Sequence, residues 1–134
     1  MFRDQECFKG QYITADIFEE RPDSPLVRTE GTWDVINILM FLHAFDWKDQ
    51  VRPCKRILKL LSPKPGGMVI GGQTDSVKAG EEKLKAPFLK EGFETLVFRQ
   101  SKETFKRTWE EVTESEGVKL KIWVEYRPRY ERVR

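Results

Sequence analysis

Apolar and polar positions change period along this chain of 134 residues, and the changes divide it into elements. Trp33-Asp34-Val35-Ile36-Asn37-Ile38-Leu39 is dense in apolar and β-branched residues, the pattern of a strand covered on both faces. Val51, Cys54, Ile57, Leu58 and Leu61 then recur at spacings of three and four. That spacing predicts a helix with one apolar face, leaving Lys48, Arg52, Lys55, Arg56 and Lys59 in water. Asp46 can cap its first free amides, and Asp46 and Asp49 both favour the positive end of its dipole. Pro53 falls inside the helix, where a missing donor predicts a kink or a later start at a cost of about 3 kcal/mol. The run Ser62-Pro63-Lys64-Pro65-Gly66-Gly67 ends the helix, and Met68-Val69-Ile70 re-enters as a short buried strand. Strand, crossover helix and strand at this length predict a βαβ unit with a parallel sheet, hence an α/β fold.

The flanks are less regular. Residues 2–9 suit the end of a helix stopped by Gly10, and residues 11–18 have the aromatic and β-branched content of a strand that runs into a polar loop. Residues 74–92 are rich in Lys, Glu and Gly with little periodicity, which predicts an exposed connection. Residues 93–99 suit a short strand or an extended lead-in. Ser101 then caps a helix with Phe105, Thr108, Trp109 and Val112 on one stripe, Glu103 in its first turn and Gly117 closing it. Residues 119–126 alternate most clearly: Leu120, Ile122, Val124 and Tyr126 on one face, Lys119, Lys121, Trp123 and Glu125 on the other.

Length and composition confine these elements to one domain, residues 1–134, with no room for two cores. With 24 Lys and Arg against 22 Asp and Glu, the net charge of +2 is too balanced for a bulk nucleic-acid field. Only the tail, with Arg127, Arg129, Arg132 and Arg134 among Tyr126 and Tyr130, is skewed, and a solvated terminus is its simpler description. No apolar run approaches the roughly 20 residues a bilayer needs, and no apolar core follows a basic start, so a cytoplasmic setting is expected. Cys7 and Cys54 lie far apart without metal-ligand spacing; no metal site is expected, and Cys54 reads as a small buried hydrophobe.

Few residues carry obvious chemistry. Gly66-Gly67 and Gly71-Gly72 flank a strand but fit neither dinucleotide nor triphosphate cradles. Asp16 ends a strand pattern; it is either a ligand contact beyond a carboxyl end or the cap of an Asx-turn. His43, the single histidine, follows a strand where a sheet's ligand crevice lies. Its ordinary pKa suits a base near neutral pH, and the competing role is a hydrogen-bonded structural histidine.

Several blocks together resemble one family: residues 12–18 (YITADIF), Trp33-Asp34-Val35-Ile36, residues 41–51 (FLHAFDWKDQV), Cys54-Lys55-Arg56-Ile57, residues 61–66 (LSPKPG), Gly71-Gly72-Gln73, and Phe98-Arg99 through Trp109-Glu110-Glu111-Val112. They look like class I S-adenosyl-L-methionine-dependent methyltransferases of fungal secondary metabolism, notably meroterpenoid pathways, and specifically their carboxyl-terminal part. The resemblance implies an incomplete Rossmann-like sheet, mostly parallel, lacking the amino-terminal glycine-rich strand, turn and helix. It implies that Asp16 and Ile17 border the donor's adenine, that Asn37 and Ile38 lie near its methionine part or adenine ring, and that His43 faces the methyl acceptor. A small terpenoid or polyketide-derived molecule is the acceptor it implies. A homodimer or a longer complementing relative would then supply the remainder, and an inactive interaction module is the alternative.

Overall fold

The computed structural model describes residues 10–87 and 89–127. Two parallel strands, β1 (Val35–Leu39) and β2 (Met68–Gly72), flank helix α1 (Trp47–Leu60) in sequence. They pair in register from Val35 opposite Met68 to Leu39 opposite Gly72. An antiparallel pair follows, β3 (Gly80–Leu84) with β4 (Thr95–Arg99), and then helix α2 (Lys102–Ser115). Single 3₁₀ turns lie at Val27–Thr29 and Leu42–Ala44. The expected βαβ unit and the α/β class are therefore present.

The reasons are local. Asp46 Oδ1 accepts the Asp49 amide at 2.9 Å, and α1 runs unbroken for 14 residues with Pro53 inside it. Ser101 and Thr104 form a reciprocal capping box on α2, and Gly117, at φ +67°, follows its end. Cys54, Ile57 and Leu58 of α1, Trp109 and Val112 of α2 and Leu42 make the core, with Ile36, Ile38 and Val69 of the sheet laid against it. Burial pushes the Cys54 thiol up to about 12, as befits a sulfur used for packing. At Gly71 any Cβ would run into the Ile38 carbonyl oxygen, so this crossing of the two strands requires glycine.

Several expectations are corrected. Residues 11–18 form no strand. Ile17 O and Glu19 O instead accept hydrogen bonds from Arg56 Nε and Nη2 at 3.0 and 3.1 Å, and Arg52 lies over the Phe18 ring. Arg56 is accordingly buried, with Glu30 as its ion-pair partner, and is not on the wet face of α1. The connection 74–92 contains β3, whose Glu82 pairs with Arg99 at 2.7 Å; cross-strand charge and backbone pairing make this strand, so its sequence lacks apolar alternation. Residues 119–125 alternate in burial as expected, Tyr126 lies exposed although the pattern puts it on the face of Leu120, and none of them joins a sheet among the described residues. The sheet β1–β2 is covered on one face alone. Val35, Leu39, Met68 and Ile70 lie exposed on the other, contrary to the double burial their pattern suggests. The expected helix end at 2–9, Cys7 and the tail beyond Arg127 lie outside the described residues.

Candidate functional site

The carboxyl ends of β1 and β2 open onto one corner of the molecule. β1 ends at Leu39, Met40 turns at φ +52° while its amide donates to Gly72 O at 2.8 Å, and the 3₁₀ turn that carries His43 follows, packed against β4 and α1. Beyond β2, Gln73 Nε2 donates to Asp75 Oδ2 at 2.8 Å, and the Gln100 amide donates to Asp75 Oδ1 at 3.1 Å. His43 and Asp75 are close enough for each to feel the other's charge, with Arg99 as third member.

The electrostatics of this corner follow from burial. Desolvation, then the Arg99 cation, push the His43 pKa below its ordinary value, and the Asp75 anion opposes them. Burial pushes the Asp75 carboxyl up, opposed by its hydrogen bonds from Gln73 and the Gln100 amide and by Arg99 and His43. His43 Nδ1 is buried without a hydrogen-bond partner. A neutral imidazole beside a carboxylate can take up a proton and have the resulting cation stabilised.

A buried amide network supports this corner from below. Gln50 Nε2 donates to Phe45 O at 3.0 Å and to Phe98 O at 3.1 Å, Gln100 Nε2 donates to Gln50 Oε1, and Thr108 Oγ1 donates to Gln100 Oε1 at 3.3 Å. The turn carrying His43, strand β4 and both helices are thus tied together.

The other expected site residues have these surroundings. Asp16 Oδ1 accepts the Phe18 amide at 2.9 Å, an Asx-type turn, and Ile17 is held against α1 through Arg56. Asn37 points from the open face of β1, whereas Ile38 points to the opposite face, toward the core and a groove beside β2. Of these four residues, Ile38 lines the groove beside β2. Asp75 was missed because residues 74–92 read as a featureless connection; the available signal was an acidic residue just past the carboxyl end of a parallel strand. Among the described residues no three His, Cys, Asp or Glu side chains are grouped to hold a metal ion, and no helix is long and apolar enough to cross a membrane.

No family model matches the chain, and no solved structure matches it. Named proteins do. It is 33% identical over 124 residues to the O-methyltransferase phiE of a fungal species (strain ATCC 74256), covering 92% of this chain and 39% of that protein. It is 34% identical over 122 residues to the O-methyltransferase atr3 of Stereocaulon alpinum, covering 91% and 34%. The methyltransferase adrK of Penicillium roqueforti is 26% identical over 125 residues, covering 91% and 41%. Over nine-tenths of its length the chain is thus similar to proteins named as methyltransferases, each matched over part of its own length. It spans between 34% and 41% of the length of these three relatives.

Proposed function

We propose that this chain is the acceptor-side portion of an S-adenosyl-L-methionine-dependent methyltransferase of Rossmann-like fold that alkylates a small terpenoid or polyketide-derived hydroxyl compound in the cytoplasm. The observation that carries the reading is His43, in the turn that follows a parallel strand, its pKa lowered by burial and within electrostatic reach of Asp75, in a chain similar to proteins named O-methyltransferases. When bound, the donor supplies the methyl group; His43 accepts the hydroxyl proton, and Asp75 stabilises the imidazolium. Such general-base assistance contributes about 10²–10⁴-fold.

In this reading Asp16, Ile17, Asn37 and Ile38 contact the donor. The bare sheet face, with Val35, Leu39, Met68 and Ile70 exposed, favours a second reading: a catalytically inactive complementing subunit, working as a homodimer or with a longer relative. Calorimetric titration of the chain with S-adenosyl-L-methionine separates the two. Micromolar affinity of the lone chain defeats the second reading; silence from the lone chain, with turnover restored by a longer relative, supports a complemented site. In the active assembly His43→Ala lowers kcat about 100-fold with donor affinity intact. Equal loss of donor binding and turnover marks His43 as structural instead. Asp16→Ala weakens donor binding if Asp16 contacts the adenine.

A further inference from the structure

The pairing of β1 with β2 closes at Leu39 and Gly72, with the Met40 amide on Gly72 O at 2.8 Å. Beyond that bond the chain leaves the sheet in two loops, one carrying His43 and the other Asp75. The spacing of these two side chains is therefore set elsewhere. Both loops are tied to Gln100, the residue that follows β4. Its backbone amide donates to Asp75 Oδ1 at 3.1 Å and its carbonyl accepts the Ser76 amide at 3.0 Å, so Asp75 is held by its side chain and by the main chain next to it.

The side chain of Gln100 reaches the other loop through one intermediary. Gln100 Nε2 donates to Gln50 Oε1, and Gln50 Nε2 donates to Phe45 O at 3.0 Å. Phe45 closes the 3₁₀ turn of His43, its own amide donating to Leu42 O at 3.1 Å. The relay has one direction. Gln50 commits its Nε2 protons to the Phe45 and Phe98 carbonyls, so its oxygen is what faces Gln100. Gln100 then presents an N–H to Gln50, and its own oxygen accepts from Thr108 Oγ1 at 3.3 Å. Both glutamines are 0% exposed, where water does not replace a lost partner.

We infer that Gln100 is a positioning residue that fixes the separation of His43 and Asp75, holding Asp75 with its backbone and the His43 turn with its side chain through Gln50. This rests on the reading of His43 as the proton acceptor, and it gives Gln100 no contact with either substrate. The interaction of an imidazolium with a carboxylate weakens with distance, so a shift of either loop shows in how His43 titrates. Asp75 and Arg99 are the charges that act on the imidazole. Arg99 is anchored independently of the relay, on Glu82 at 2.7 Å and on Thr74 O at 3.3 Å, so its effect stays constant when Gln100 changes.

The chain has a single histidine, so proton NMR of its imidazole follows His43 directly, with no donor, acceptor or turnover required. Asp75→Asn lowers the midpoint of that titration in the native background, because it removes the anion that favours the imidazolium. In Gln100→Leu, whose backbone still holds residue 75, the same Asp75→Asn change displaces the midpoint by less than about half as much. Val112→Ala, a core truncation in α2 that also loosens the fold, leaves the displacement at its native size. Circular dichroism verifies that each variant is folded. Should Gln100→Leu not fold, Gln50→Leu combined with Gln100→Leu strands neither amide and carries the same expectation. An undiminished displacement in Gln100→Leu overturns the inference and leaves the His43–Asp75 pair standing. An equal loss in Val112→Ala makes Gln100 merely structural and overturns it as well. Absence of any displacement in the native background dissolves the pair, and the functional reading falls together with the role of Gln100.

Discussion

Replacing Gln50 by Leu, Gln100 by Leu, and both together tests whether the buried amide pair holds the floor of the candidate site. Both residues are 0% exposed. Gln50→Leu removes donations to Phe45 O and Phe98 O, each worth about 1 kcal/mol, and strands Gln100 Nε2 in the interior at about 2 kcal/mol, so the loss is about 4 kcal/mol. Gln100→Leu strands Gln50 Oε1 alone, since Thr108 Oγ1 keeps its bond to Thr104 O at 2.9 Å; the loss is about 2 kcal/mol. The double variant strands neither amide and retains only the cost of the two carbonyl bonds, about 2 kcal/mol, well under the sum of about 6. Urea unfolding followed by circular dichroism measures all three. Losses that add within about 0.5 kcal/mol refute the reasoning, because they show that neither amide depends on the other.

Three further expectations follow from other residues. Arg56→Met lowers stability by about 2–3 kcal/mol and speeds cleavage after Glu20 by a glutamate-specific protease, because the guanidinium holds Ile17 O, Glu19 O and Glu30; unchanged cleavage removes Arg56 as the clamp of that loop. Gly71→Ala costs about 3 kcal/mol or more, read by urea unfolding, since its methyl meets the Ile38 carbonyl; full stability shows that the strands separate there freely. The folded pKa of His43 lies below its unfolded value, so in the window beneath about pH 6.5 the unfolded chain binds more protons and this residue destabilises the fold as pH falls. His43→Gln therefore lowers the drop in Tm between pH 7.5 and 5.5; equal drops for both proteins contradict burial of the imidazole.

The central βαβ unit was legible because each signal agreed with its neighbours: β-branched strands, an Asp46 cap, an apolar helix stripe and a glycine-proline stop. Burial in α1 was legible for Cys54, Ile57 and Leu58 but not for Arg56, whose partners come from a loop 37 and 39 residues away. Strand β3 was invisible because charge pairing and β4, not apolar alternation, hold it in place. Residues 11–18 and 119–126 carry strand composition but pair with no strand among the described residues. Composition records what a segment can pair with, and pairing requires the partner. The place of His43 after a strand was legible in the sequence; the surroundings of Asp75 were not, since they depend on the Gln100 backbone amide arriving from the far end of β4.

The open face of β1 and β2 also shapes how this protein melts. With Val35, Leu39, Met68 and Ile70 already hydrated in the native state, unfolding newly wets less hydrocarbon than is usual for a chain of this length. Its heat-capacity increment falls below the common value of about 12–15 cal/mol/K per residue, and the curve of free energy against temperature is correspondingly shallow. Any polypeptide that settles on that face sharpens the calorimetric transition as well as raising its midpoint.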